Sequence, residues 1–436
     1  MKCLIIAAGQ GSRLRKKGDV KPLLPLLGVP IIERVIRSAI SGGASEFYVV
    51  IGYEGERVGA FINRLSKRLH IPITLIKNDE WQEENGLSVL KAREYINEPF
   101  LLLMADHLFD SFIIKELIRF PVGEDEIVLT VDENIRNPLV DLGDVTKVRR
   151  KNNYIIDIGK SIDQFNGFDT GLFLCTPALF QALEAAKQEK QNTTLSAAVK
   201  IFADKGKAKT LKTNGFWIDV DDERAFQKAE NTLLNRLRDK TNDGPVSRYL
   251  NRPLSILISK FLVRYNITPN QISFFSFLCS ILASILFVLG SYVTLAIGGI
   301  IAQIASIIDG SDGEVARLKY LSSDYGRWFD AVLDRYADAF LLFGLTWHVY
   351  QQADVPLVWL VGFLAIIGSF MLSYTADKYD SLMRQRVSGG VRIGRDMRIF
   401  IIFLGALLNQ PYLVLIVISV LMNVETIRRI SVCRHG

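Results

Sequence analysis

The sequence predicts two folds in one chain. The first is a Rossmann-like α/β domain with a mostly parallel sheet, and the second is an all-α domain of six transmembrane helices. Three observations carry this. Composition switches near residue 254 from a soluble α/β pattern to long apolar stretches. The chain opens on a short apolar strand, Cys3-Leu4-Ile5-Ile6, that runs straight into a glycine-rich loop. The apolar half also carries regularly spaced aspartates that bare lipid would not tolerate, at ~2.5–3.5 kcal/mol each even on lenient insertion scales. The expected division is 1–240 for the soluble domain, 241–270 for a linker with an interfacial helix, and 271–436 for the membrane domain.

In the membrane half, six apolar segments are expected as spans, near 271–289, 292–318, 325–348, 355–377, 395–409 and 411–430. Before them, Leu254 to Tyr265 is apolar but short and contains Lys260 and Arg264, the pattern of a helix lying on the membrane surface. Pro269 then marks a helix start. Three connections lack Lys and Arg: Gly290-Ser291, Tyr350 to Pro356, and Asn409 to Pro411. The opposite ends carry Lys319, Arg327, Lys378, Arg384, Arg386, Arg392, Arg395, Arg398, Arg428, Arg429 and Arg434. By the positive-inside rule both termini lie in the cytoplasm. With no signal peptide at the first strand, the soluble half is expected there too, on a multi-pass protein of the cell membrane. The net charge of +6 suits a chain lying against anionic lipid. The basic residues cluster at span ends, so no nucleic-acid partner is expected. The four scattered cysteines (Cys3, Cys175, Cys279, Cys433) have no metal-ligand spacing and read as reduced and structural.

The run Asp309-Gly310-Ser311-Asp312-Gly313-Glu314-Val315-Ala316-Arg317, followed by Gly326, Asp330 and Asp334, has the form D-x-x-D-G-x-x-A-R-x(8)-G-x(3)-D-x(3)-D. On a helix Asp309, Asp312, Gly313 and Ala316 share one face, as do Gly326, Asp330 and Asp334 on the next. Two such faces side by side converge carboxylates on hard divalent cations, Mg²⁺ or Mn²⁺. Gly313 and Ala316 leave room there, and Arg317 can grip a phosphate. This run resembles the signature of the CDP-alcohol phosphotransferases, enzymes with six transmembrane helices. They transfer a phosphoalcohol from a CDP-alcohol to a hydroxyl and release CMP. The resemblance implies metal ligands at Asp309, Asp312 and Asp330, and a base at Asp334 that also serves as a possible ligand.

In the soluble half, Ala7-Ala8-Gly9-Gln10-Gly11-Ser12-Arg13-Leu14 is a loop whose backbone amides can approach an anionic nucleotide. Lys21-Pro22-Leu23-Leu24-Pro25-Leu26-Leu27-Gly28-Val29-Pro30 follows. Together these resemble the sugar nucleotidyltransferases over about residues 1–230. Nucleotidyl transfer brings two anions together, and Arg13 and Lys21 are the cations that would offset their repulsion. The resemblance implies nucleotide contacts at Ala8, Gly9 and Gly11, and at Asn85, Gly86 and Ser88 of Asn85-Gly86-Leu87-Ser88. Asp106 ends the apolar strand Phe100–Met104 at the sheet edge where ligands bind, and the resemblance makes it a metal ligand. Relatives often carry a second acid two residues on. Leu108 stands there instead, so Asp219, then Asp221, is the expected second ligand, and His107 reads as a packed residue or one that supports a ligand from behind. Lys147, Lys160 and Asp169 are candidate contacts for the acceptor phosphate and its polyol.

The order of the two halves suggests consecutive steps, the first making a CDP-alcohol and the second using it. The fusion resembles the bifunctional inositol-1-phosphate cytidylyltransferase/di-myo-inositol-phosphate-phosphate synthase family. That resemblance implies CTP and inositol-1-phosphate as substrates, CDP-inositol as intermediate, a product made for compatible-solute synthesis, and a homodimer paired through the spans. A phosphorylated acceptor needs a second anion site, for which Arg395 and Arg398, three apart on one helical face, are the candidates, with Arg384, Arg386 and Arg392 nearby. The alternative is transfer to a lipid hydroxyl, as in a phospholipid synthase. A membrane-tethered sensor or transporter is opposed by Arg13, Lys21 and Asp334 all being present.

Overall fold

The computed structural model describes the chain except residues 15–16, 191–192, 239–243, 354, 384–393 and 436. Arg384, Arg386 and Arg392 therefore lie outside the described residues. The chain divides into two compact units, Met1–Thr232 and Leu233–Gly436.

The first unit runs β1 (Lys2–Ala7), β2 (Pro25–Leu26), β3 (Val29–Pro30), α1 (Ile31–Gly42), β4 (Glu46–Ile51), α2 (Gly55–Leu69), β5 (Ile73–Lys77) and α3 (Asn85–Leu90). It continues β6 (Phe100–Met104), β7 (His107–Phe109), α4 (Ser111–Arg119), β8 (Ile127–Asp132), β9 (Lys147–Lys151), β10 (Tyr154–Gly159) and β11 (Gly167–Cys175). Then come α5 (Ala178–Lys190), α6 (Leu195–Asp204), β12 (Ala208–Thr213), β13 (Trp217–Asp219) and α7 (Glu223–Asn235), whose last three residues fall in the second unit. The sheet order is β5-β4-β1-β6-β11-β8-β12-β10-β9. Only β10 and β11 run against the other seven strands, so the sheet is mostly parallel, as expected.

Continuous apolar strands are what a sheet covered on both faces requires. Leu4, Val50, Phe100 and Leu102 pack with Phe180, Leu183 and Val199 of α5 and α6, and Phe100 stacks on Phe180 at 5.5 Å. Gly42 lets α1 close on α4, since a Cβ there would lie 2.4 Å from Ile114 Cβ. With β1 between β4 and β6, the loops after β1 and β6 open at the same sheet edge. A separate short pair, β7–β13, sets His107 opposite Asp219.

After the end of α7 the second unit has one π-helical turn, Ser247–Asn251. Then come α8 (Arg252–Leu262), α9 (Pro269–Val288), α10 (Tyr292–Leu318), α11 (Asp324–Ala353), α12 (Leu357–Met383), α13 (Arg395–Leu407) and α14 (Pro411–His435). Helices α9 to α14 thus stand at the six positions where spans were expected, five of them of 20 to 30 residues and α13 of 13. Thr268 and Gln271 form a capping box at the start of α9. Small residues allow close helix packing. A Cβ on Gly298 would lie 2.9 Å from the Ala283 carbonyl oxygen, and one on Gly344 2.8 Å from that of Ser284. Large apolar side chains face outward, among them Phe275, Ile285, Val293, Leu360 and Phe363.

Among the described residues three segments, Pro269–Val288, Tyr292–Leu318 and Leu357–Ala376, are long and apolar enough to cross a membrane. The other three helices do not meet that measure. α11 carries Asp324, Arg327, Asp330, Asp334, Arg335 and Asp338. α13 has 13 residues, about 20 Å of helix against a hydrocarbon core of about 30 Å.

Candidate active sites

In the first unit, Gly11 sits at φ +62°, where a Cβ would fall 2.4 Å from Lys21 Cβ. The bare glycine lets the loop after β1 fold over Lys21, which is 7% exposed. Lys21 Nζ donates to Asp106 Oδ2 at 2.6 Å and to Asp221 Oδ1. Arg13 Nη1 pairs with Asp144 and, at 3.3 Å, with Asp221. Lys160 Nζ reaches the other Asp144 oxygen at 2.7 Å. Two of the three cations after β1 and β10 thus meet on one carboxylate that the sequence did not single out. Asp144 lies in a loop with no periodic signal.

Asp106, His107 and Asp219 each place a ligand atom within 4.8 Å of the others and could hold a metal ion. His107 Nδ1 is 2.9 Å from Asp106 Oδ1 and 3.7 Å from Asp219 Oδ1. His107, expected as a packed residue or one supporting a ligand, hydrogen-bonds Asp106 and lies within the acidic group. Asp221 turns to Lys21 and Arg13. Burial pushes the Asp219 carboxyl up to about 7 against the pull of His107 and Lys21, with Asp106 and Asp221 adding to the rise. Burial lowers His107, but Asp219 and Asp106 outweigh it and raise the imidazole to about 9. For Asp106 the burial that would raise its carboxyl is overcome by Lys21 and His107, which hold it well below the usual range. Asp219 Oδ1 is buried with no hydrogen-bond partner. A crowded acid with an orphaned oxygen suits a cation.

Arg13, Asp106, His107, Asp219 and Asp221 line a cavity of about 550 Å³, together with Gly9, Asn85, Ser88, Trp81, Lys160 and Asp169, while Lys21 lies behind Asp106 and Asp221 and is not in the lining. Asp169 accepts from the Gly171 amide at 2.7 Å. Burial raises its carboxyl to about 6, opposed by that hydrogen bond and by His107. Asn85 Oδ1 is engaged by the Leu195 amide at 2.9 Å, and Ser88 accepts from Asn78. A Cβ on Gly86 would lie 2.1 Å from the Thr193 carbonyl oxygen, which gives this glycine a packing role. Lys147 is not among the residues that line the cavity; its ammonium sits 5.4 Å from the Phe165 ring centroid.

In the second unit, Asp309 on α10 and Asp330 and Asp334 on α11 bring carboxylates within 4.8 Å of one another. Asp330 Oδ1 is buried and has no partner, again an arrangement that suits a cation. Arg395 Nη1 reaches Asp309 Oδ2 at 2.8 Å and Asp334 Oδ1 at 2.6 Å, while its Nε reaches Asp338 Oδ1 at 3.2 Å. Asp312 lies outside the three-carboxylate group, accepting from Ser273 Oγ and the Gly313 amide. Ser276 Oγ is 3.2 Å from Asp309 Oδ1. Gly313 leaves space over which the Arg317 guanidinium passes, 3.3 Å from a Cβ built there; Ala316 keeps the next turn of that face small.

Arg398 is 4% exposed, and its Nη2 bonds Asp338 Oδ2 at 2.7 Å and Ser373 Oγ at 3.1 Å. Its Nη2 is committed to protein partners while its Nε is buried with no hydrogen-bond partner, and it lines a small cavity of about 150 Å³ with Asp334, Arg335, Arg395 and Arg429. Asp338, which binds both arginines, went unnoticed in the sequence. The four-residue step from Gly326 through Asp330 and Asp334 reaches it directly.

Two families match the chain: the MobA-like NTP transferase domain over residues 3–201 and the CDP-alcohol phosphatidyltransferases over 266–426. A Rubrobacter xylanophilus protein named bifunctional IPC transferase and DIPP synthase is 34% identical, covering 99% of this chain and 96% of the relative. The chain belongs to this bifunctional family. It therefore joins a nucleotidyltransferase to a CDP-alcohol phosphotransferase, the latter a membrane protein domain. An archaetidylinositol phosphate synthase of Pyrococcus horikoshii is 31% identical over 45% of this chain and 95% of its own length. The solved inositol-1-phosphate CTP transferase of T. maritima aligns over 53% of this chain and 93% of its own, at 26% identity and a TM-score of 0.48.

Proposed function

We propose that the first unit converts CTP and inositol-1-phosphate to CDP-inositol and diphosphate. The second unit then transfers phosphoinositol from CDP-inositol to a second inositol-1-phosphate, giving di-myo-inositol-phosphate-phosphate and CMP. The observation that carries this is a single relationship that runs through both units over 99% of the chain. A relative that matches 45% of the chain is named archaetidylinositol phosphate synthase. That leaves lipid transfer as the competing reading, but the full-length relationship outweighs it.

In the first unit, Arg13 and Lys21 offset the charge of the triphosphate and of the departing diphosphate. Asp106 and Asp219 would hold Mg²⁺ (Mn²⁺ can serve in its place), with His107 beside them and Asp221 steering the two cations. The loop at Ala8, Gly9 and Gly11 takes the phosphates, and Asn85, Gly86 and Ser88 shape the base side. Lys160 and Asp169 face the acceptor; Lys147 has a weaker claim. In the second unit, Asp309, Asp312, Asp330 and Asp334 would hold divalent ions, which supply charge neutralisation at the bridging phosphate. Gly313, Ala316 and Arg317 make room for and contact the CDP moiety. Asp334 takes the acceptor proton, and Arg395, with Arg398 behind it, faces the acceptor phosphate.

The chain sits in the cell membrane with six spans, both termini and the first unit cytoplasmic, and pairs as a homodimer through its spans. The outward apolar face of α8 (Leu254, Leu257, Phe261) supports a place at the bilayer surface. The test is detergent-purified protein with Mg²⁺, labelled CTP and inositol-1-phosphate, without lipid. The reading expects CDP-inositol, then CMP and a water-soluble double phosphate. CMP release only on adding lipid would replace the second step with lipid transfer.

A further inference from the structure

Glu314 lies inside the aspartate run but points away from it. It is five residues from Asp309 and two from Asp312, roughly the opposite side of α10 at about 100° per residue. Its carboxylate is fully buried and accepts from Arg252 Nη1 at 2.8 Å, Ser255 Oγ at 2.6 Å and Ser259 Oγ at 2.7 Å. Arg252, Ser255 and Ser259 share one face of α8. The seam continues along α10: Ser311 Oγ donates to the Ser255 carbonyl at 3.2 Å, and Gln303 Nε2 to Asn251 Oδ1 at 2.8 Å. The apolar face of α8 points outward, so its polar face is the one clamped to α10.

A buried ion pair adds little net stability but penalises every other register, because a slip strands a charge without partners. The neighbouring carboxylates must be held to within about half an ångström to share a cation. We propose that Glu314, held by Arg252, Ser255 and Ser259, is a positioning residue. It locks the rotation and register of α10 and so sets Asp309 and Asp312 for metal binding. This rests on the reading of the aspartate group as a cation site.

The test is Mn²⁺ titration followed by electron paramagnetic resonance on the full-length chain in detergent. An Asp106→Ala/Asp219→Ala background removes the first unit's metal group. Glu314→Gln, which keeps the shape and loses the charge, should weaken Mn²⁺ binding about tenfold or more, the usual effect of losing an outer partner of a metal site. Arg252→Gln should do the same, and Ser255→Ala/Ser259→Ala should weaken it by less; that serine pair serves if Glu314→Gln does not fold. An unchanged dissociation constant would overturn the proposal. So would fewer sites of unchanged affinity, the sign of partial misfolding. If the background chain itself binds no Mn²⁺, the cation-site reading fails instead.

Discussion

Lys21→Met removes one ammonium and little volume from the first unit. Lys21 is the buried cation between Asp106 and Asp221, 2.6 Å from the former. Breaking a buried pair costs about 3–5 kcal/mol. The two acids are 28% and 36% exposed at the side chain, so water relieves part of that, and about 3 kcal/mol is the expected loss. For a unit of this size it lowers the melting temperature by about 6–12 °C. The catalytic effect is separate. Losing a donor aimed at developing charge costs about 10²–10³ in rate. CDP-inositol formation, measured well below the melting transition, should fall by that factor. CMP release from supplied CDP-inositol should stay within twofold of the unaltered chain. Retention of the full synthesis rate by the folded variant would refute the role given to Lys21. Loss of both activities would refute the assignment of the two reactions to separate groups of residues.

Asp334→Asn should abolish CMP release and leave CDP-inositol synthesis intact, read from the two products in one assay. Gly11→Ala forces a side chain into a left-handed backbone and onto Lys21 Cβ. It should cost about 1–2 kcal/mol of strain and cut CDP-inositol synthesis at least tenfold. Asp169 gives a pH signature in protein freed of metal. Its carboxyl rises from 3.8 to about 6 through burial, so the folded state favours the protonated form. That contribution is complete below pH 4 and disappears as pH climbs through 6. Melting curves from pH 4 to 7 should show this decline, to which Asp219, raised to about 7, adds its own, so Asp169→Asn should make the slope shallower without removing it. An unchanged slope would remove Asp169 as its source.

Both halves of the fold were legible because each is written in local periodicity. The strand Cys3–Ile6, the acid after Met104, and the spacing from Asp309 to Asp334 need only the geometry of a strand or a helix. The switch to long apolar segments near residue 254 announced the second domain. Span number was less legible. The functional charges on α11 dilute its apolar pattern, and α13 is short.

What the sequence alone determined, then, is which side chains share a face: Asp309 with Asp312, Asp330 with Asp334, Arg395 with Arg398. Rise and rotation per residue settle that. What only the tertiary structure decided is which faces meet. Asp144 joins Arg13 to Lys160, His107 enters the acidic group through its pairing with β13, Asp338 holds two arginines, and Glu314 turns to α8. Those contacts join residues up to 131 positions apart, and packing between elements, which no local spacing encodes, fixes them.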